Sequence, residues 1–455
     1  MRTLKDLPAP LYPVLSFAFY ILAASVVLMA FPTRQDTHIA FIDALFLITS
    51  ATCVTGLSVL DIGSELTVWG QLTILASIQL GGLGIMTFST VFILAIGGSL
   101  SFRSRFVLQD IFAHSPQADL HKLLRRVFLF TLAWEAAGTL LLFMRFREQF
   151  PLEMACYHAV FNSVSAFCNA GFSLFSDNLM RYRGDALVSL TIAGLIILGG
   201  IGFMVMHELV QNLEHEASRR HYWSRLSLHS KMVLSTTAVL VVAGTIFFLL
   251  SEWHNTLRGL DIPEKLLASF FQSVTPRTAG FNTLDYAVMN NLTLLGTVML
   301  MFVGASPGST GGGIKTTSMS VLLALSRSRL SGSENVHAFK RTIAPGAINR
   351  SFSIFVVSIV IVLIGTAALL IAETSRLAPE QSRCQFMELL FETTSAFATV
   401  GLSMGVTPKL SPWSKFILVL VMFTGRLGPL VIAMAIHPSR KKGNFVYAEE
   451  PLMIG

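Results

Sequence analysis

Charge is what this chain has least of. Only 13% of its 455 residues are Asp, Glu, Lys or Arg, about half the share usual in a soluble domain. That shortage excludes a water-soluble globule of this length. Cysteine is scarce as well: Cys53, Cys156, Cys168 and Cys384 have no metal-ligand spacing, so free thiols are expected. There is no G-x-G-x-x-G unit and no H-E-x-x-H, since His207-Glu208 lacks a second histidine. Dinucleotide binding and zincin-type hydrolysis are excluded at the level of motif.

Long apolar runs fill the space that charge leaves. A spanning helix needs about 20 apolar residues. Such runs stand at Leu11–Phe31, Leu66–Ile96, Val127–Met144, Leu187–Val210, Val233–Leu250, Phe352–Ile371 and Trp413–Ile436, with an interrupted eighth over Leu292–Leu325. The first run has no small-residue cleavage site and reads as a retained helix. A net charge of +7 is spread through loops, which argues against nucleic acid as a partner. Twenty of the 33 lysines and arginines fall in the termini, Gly98–Arg126, His207–Lys231 and Lys315–Arg350. By the positive-inside bias that side is cytoplasmic, with both termini inside.

A repeat lies in the outer connections, which read "FIDALFLITSATCVTGLS", "CYHAVFNSVSAFCNAGFS", "LLASFFQSVTPRTAGFN" and "FMELLFETTSAFATVGLS". Aligning Gly56, Gly171, Gly280 and Gly401 puts Phe46, Phe161, Phe270 and Phe391 ten residues upstream, and Ala51, Ala166, Thr275 and Ala396 five upstream. The short apolar stretches are too short to span, as in re-entrant segments. Non-helical backbone survives at membrane depth only when buried in protein or lining water. The expected fold is therefore an all-α polytopic membrane protein with four pseudo-repeats of helix, pore half-helix, filter loop and helix around a central pore. The units are expected at 1–99, 100–211, 212–330 (with a broken helix and intramembrane loop) and 331–455 (with a cytoplasmic C-terminal tail).

Carbonyls ringed around an axis can replace the hydration shell of a monovalent cation, and glycine allows the backbone angles this needs. The expected filter is Cys53, Val54, Thr55, Gly56; Cys168, Asn169, Ala170, Gly171; Arg277, Thr278, Ala279, Gly280; and Ala398, Thr399, Val400, Gly401. Helix-packing glycine is the plain alternative for any one of these, but four in one register with a shared phenylalanine are harder to obtain that way.

The third unit carries "GASPGSTGGGIKTT". A Walker loop is excluded because Ile314 separates Gly313 from Lys315 and the flank is a membrane helix, not a strand. Pro307 breaks a helix; Gly308, Gly311, Gly312 and Gly313 permit turns; Ser306, Ser309, Thr310, Thr316 and Thr317 can satisfy freed backbone groups. A gate made of Gly304, Ala305, Ser306, Pro307, Gly308, Ser309, Thr310, Gly311, Gly312, Gly313 and Lys315 is expected in the cavity below the filter; a static kink is the alternative. Two intramembrane charges stand out. Arg426 is expected behind the filter, with Glu392 or Glu388 as candidate partners. Glu135 is expected to pair within the bundle or face water. Asp43, His158 and Glu388 share one half-helix position and should support the loops.

These loops, with "SVTPRTAGFNT" and "GASPGSTGGGIKTT", resemble the Trk/Ktr/HKT superfamily of potassium transporters over nearly the whole chain. The resemblance is closest to the KtrB type of pore subunit, because no extra helical pair precedes the first unit and the tail "YAEEPLMIG" is similar. It implies potassium uptake across the bacterial cytoplasmic membrane, with potassium at the filter carbonyls and Gly56 favouring potassium over sodium. It further implies a homodimer, surrounded by membrane lipid, on an octameric ring of a cytosolic nucleotide-binding regulator of KtrA type. No cofactor is expected in this chain. Sodium activates many such systems, but no sodium site can be read. A secondary ion-coupled transporter with a midplane site is the alternative; no nucleophile–base pair supports an enzyme.

Overall fold

The computed structural model describes residues 11–31, 33, 38–83, 120–214, 222–375, 378–429 and 431. Both termini, the "YAEEPLMIG" tail and most of the basic segment Gly98–Arg126 lie outside the described residues, as does the side chain of Cys384.

Among the described residues, four helices are long and apolar enough to cross a membrane by length and composition: Leu11–Ala30, Arg125–Phe146, Leu228–Ser251 and Pro345–Thr374. They are α1 (Leu11–Ala30), α4 (Leu120–Phe146), α8 (Leu228–Ser251) and α12 (Pro345–Thr374). Each is followed by a shorter helix that ends at a glycine turn: α2 (Phe41–Thr52), α5 (Leu152–Phe167), α9 (Ile262–Val274) and α13 (Pro379–Ala398). After each turn the chain enters a third helix: α3 (Val68–Gly82), α6 (Ala186–Ile201) continued by α7 (Phe203–Glu214), α10 (Asn291–Phe302) continued by α11 (Thr316–Leu330), and α14 (Pro412–Leu427). A two-stranded hairpin, β1 (His337–Ala338) and β2 (Arg341–Thr342), joins α11 to α12.

Burial runs opposite to that of a water-soluble protein. Phe19, Val239 and Ile364 on the long helices are about two-thirds exposed, which is sensible only where the surrounding medium is itself apolar. The short helices are the buried ones: every described residue of α2 from Ala44 to Thr52 is enclosed. Their polar ends are capped in ways legible from sequence. Asp185 accepts from Val188 N–H at the start of α6 and Ser411 from Ser414 N–H at the start of α14, as N-cap residues do.

Two expected spans are corrected. Leu187–Val210 is not one rod: it bends by 98° between Ile201 and Phe203, where Gly202 takes φ +99. The last run also breaks, since α14 stops at Leu427 and Gly428 takes φ +87; its remainder from 432 to 436 lies outside the described residues. Both breaks fall on glycine, which alone adopts such angles at no steric cost.

Candidate functional site

The four glycine turns meet. A Cβ built on Gly56 would stand 2.6 Å from the Ala170 carbonyl oxygen, one on Gly171 would stand 2.7 Å from that of Ala279, and one on Gly280 would stand 2.5 Å from that of Val400. On Gly401 it would run into the Thr55 carbonyl, which closes the circle. Each glycine thus faces the carbonyl of the residue preceding the next glycine. No side chain fits there, so space as well as φ requires glycine at all four places.

Backbone geometry recurs with the same register. Two residues before each glycine, Val54, Asn169, Thr278 and Thr399 take φ of +56, +61, +66 and +52. Asparagine tolerates this region; β-branched residues there are outliers, and such strain is held only where the surroundings over-determine it. Six residues before the glycine, Ser50 and Ser395 accept from the Gly56 and Gly401 N–H groups at 3.1 and 3.0 Å. The third unit has Val274 at that place, and the Thr275 hydroxyl instead donates to the Phe281 carbonyl at 2.5 Å. The aligned phenylalanine also shifts in this unit: Phe271 is enclosed, whereas its neighbour Phe270 is only partly so.

The structure brings the backbones of Cys53–Gly56, Cys168–Gly171, Arg277–Gly280 and Ala398–Gly401 to one place, but their side chains go elsewhere. Arg277 turns outward and donates to the Thr237 hydroxyl on α8 at 3.0 Å. Cys168 lies against Gln79 and Glu135, with the sulfur 3.8 Å from the Glu135 carboxylate. Glu135 is 5% exposed and also accepts from the Gln79 amide at 3.2 Å; it pairs inside the bundle. Cys53, Cys156 and Cys168 are free thiols. Asp43 pairs with Lys415 on α14 at 2.6 Å, and His158 stacks on Phe175 with 4.8 Å between ring centroids.

The glycine-rich segment folds as a loop pressed against two of these turns. Val303 and Ile314 form a parallel bridge, and Gly304 N–H donates to the Ile314 carbonyl at 2.9 Å. From there the loop reaches α6, whose last carbonyls Gly199 and Gly200 accept from the Thr310 and Ser306 N–H groups at 3.3 and 3.0 Å. Gly312 N–H donates to the Thr399 hydroxyl at 3.0 Å. Lys315 Nζ donates to the Gly311 carbonyl at 2.7 Å. Pro307 and Gly308 sit at the α6–α7 break, where Phe203 N–H donates to the Gly308 carbonyl at 3.0 Å.

Arg426 does not pair with Glu392 or Glu388. Its guanidinium donates to the carbonyls of Thr310 in the loop and Gly81 on α3. Glu392 is enclosed and accepts from the Ser403 hydroxyl at 2.9 Å and from that of Thr407. Backbone oxygens therefore take the place expected for a carboxylate. A sequence signal marks this contact. Where three of the third helices end, the sequence reads "GGLG" (81–84), "GGIG" (199–202) and "GRLG" (425–428). The first glycine of each abuts the carbonyl of Thr52, Phe167 or Phe397, always four residues before the ring glycine. Arg426 stands where the other two units have Gly82 and Gly200.

The TrkH family, described as cation transport proteins, matches residues 17–444. The chain belongs to this family. Over 445 residues it is 38% identical to the Ktr system potassium uptake protein B of Bacillus subtilis, covering 97% of this chain and 96% of that one. The protein of the same description from Vibrio alginolyticus is 37% identical, covering 96% and 92%. The potassium/sodium uptake protein NtpJ of Enterococcus hirae is 34% identical, covering 96% and 95%. The crystal structure of the potassium transporter TrkH from Vibrio parahaemolyticus matches with TM-score 0.69 and 17% identity, covering 93% of this chain and 84% of that chain; it shares the fold. The resemblance read from the loops of this TrkH-family chain holds, including its leaning toward the KtrB type. The named relatives are transport proteins, in line with an expectation of transport without covalent chemistry.

Proposed function

We propose that this chain is the pore subunit of a potassium-uptake system in the bacterial cytoplasmic membrane. Four units surround one axis, and the carbonyls next to Gly56, Gly171, Gly280 and Gly401 strip and hold a dehydrated potassium ion. The observation that carries the reading is the closed circle of glycine-to-carbonyl contacts. The names of the potassium-uptake relatives support the choice of ion. The loop Gly304–Lys315 is the gate: it rests on the Thr399 hydroxyl, and Arg426 holds it to α3. A homodimer, a cytosolic nucleotide-binding partner and sodium stimulation complete the proposal; the "Ktr system" and "potassium/sodium" wording of relatives supports the last two.

The test is rubidium uptake into proteoliposomes holding this chain, competed with sodium and repeated with Gly280→Ser. Potassium-selective flux, with selectivity lost in the variant, is the expected result. Equal sodium and potassium flux through the unmutated chain would overturn the ion assignment. Flux that appears only after deletion of Gly308–Gly313 would assign the closed state to the loop; unchanged flux after that deletion would remove the loop from gating.

A further inference from the structure

The hairpin between α11 and α12 turns through Phe339 and Lys340, both with positive φ (+48 and +61). Its strands pair His337 with Thr342 and Ala338 with Arg341, so this is a two-residue turn of the primed kind. Such turns are built from Asn-Gly or Gly-Gly. Phenylalanine followed by lysine is nearly the worst choice for the backbone, and its use points to a task for the two side chains. Both are exposed. The base of the hairpin is fixed, because Val336 and Ile343 are enclosed against Val321 of α11 and Met232 of α8.

Depth and chemistry define that task. α10 has 12 residues and α11 has 15, so at 1.5 Å per residue they run about 18 and about 22 Å on either side of the loop. Laid end to end they would match a bilayer of about 40 Å with its headgroups, and on that reading Leu330 and the hairpin stand at headgroup depth. Leu330 is 90% exposed, as a residue dipping into that layer would be. Trp223 joins the hairpin tip, its ring 6.2 Å from that of Phe339, as aromatic residues gather at this depth. Among the described residues of the hairpin and of the α7–α8, α11 and α12 segments next to it in sequence, Arg225, Arg327, Arg329, Lys340, Arg341 and Arg350 are exposed, as is one acid, Glu334, while Glu208 is half-buried on Ser227.

We infer that this hairpin with Trp223 is a docking surface for anionic phospholipid headgroups of the inner leaflet. It rests on the reading that the basic side faces the cytoplasm. Because its base packs on α11, which begins at the proposed gate, bound lipid ties the lower half of that broken helix to the membrane surface.

The experiment places the full chain in liposomes containing brominated phosphatidylglycerol or brominated phosphatidylcholine, and reads tryptophan quenching. Trp223 is isolated by difference against Trp223→Phe. Binding is read directly, so the result is independent of whether the chain conducts potassium. Phosphatidylglycerol should quench at lower mole fraction than phosphatidylcholine. The double variant Phe339→Asn, Lys340→Gly keeps an ideal turn and should weaken that preference about fivefold, the effect of one basic residue near an anionic surface. Equal quenching by the two lipids, or a preference unmoved by the variant, would overturn the inference. So would quenching that is absent in lipid while a soluble cytosolic protein shields Trp223, which would make the surface a protein dock.

Discussion

The Thr399 hydroxyl accepts a hydrogen bond from the backbone N–H of Gly312 at 3.0 Å. One residue belongs to the fourth glycine turn and the other to the loop beside it. Thr399→Val should leave that buried N–H unpaired, at a cost of about 1–3 kcal/mol. If the loop is the gate, rubidium uptake by the variant should rise severalfold, while Thr399→Ser keeps the wild-type rate. Identical uptake in all three would mean that the bond is packing alone.

The glycine circle predicts a contrast between space and angle. Gly→Ala at 56, 171, 280 or 401 forces a methyl against a neighbouring carbonyl, and each should cut uptake by roughly tenfold or more, in the range of one to two kcal/mol of packing strain. Gly405 has a similar φ of +84 but open space around it. Gly405→Ala should therefore cost only the angle and retain transport. Comparable loss at Gly405 would show that backbone angle, not crowding, governs these positions.

Arg426 bridges the loop to α3 through two carbonyls. Arg426→Gln should lower thermal stability in detergent, since hydrogen bonds from charged groups are worth about 1.5–3 kcal/mol each. It should also free the loop and raise uptake. A variant with unaltered melting temperature and unaltered flux would contradict the bridge.

Acid should act on the C-terminal ends of the long helices. Glu252 is enclosed at the end of α8 and accepts from Asn290 N–H at 3.0 Å and from the Thr256 and Thr293 hydroxyls. Burial pulls its carboxyl up, but these bonds outweigh it and hold the group below the usual glutamate value of 4.5. Glu373, at the end of α12, likewise accepts a hydrogen bond, from Ser411 N–H at 2.8 Å. A depressed carboxylate contributes stability above its unfolded pKa and loses it as pH falls through the folded one. Melting temperature should hold at neutral pH and fall below about pH 4.5. Glu252→Gln should flatten part of that slope; an unchanged slope would remove Glu252 from it.

The helices and the four glycine turns were legible because apolar length and a shared register of Phe and Gly are properties of sequence. Positive φ at Val54, Thr278 and Thr399 was not, because nothing in valine or threonine announces it; only Asn169 carried a hint. The partner of Arg426 was missed for a different reason. Opposite charge suggested Glu392, yet main-chain oxygens at Thr310 and Gly81 supply the acceptors, and backbone is silent in a sequence. The "GGLG", "GGIG" and "GRLG" endings were visible and would have placed Arg426 against the glycine-turn helices. The break at Gly202 was equally visible, but it sits inside an apolar run that reads as one continuous span.

The circle is assembled from four stretches of a single polypeptide, and that has a genetic consequence. In a ring of identical subunits, one codon change alters every corner together. Here it alters a quarter of the ring and leaves three corners intact. Cys53 and Cys168, Arg277, and Ala398 put three different chemistries at four matching places, as is open to a chain whose corners are inherited separately. Partial defects, graded by corner, are the form that variation at this ring should take.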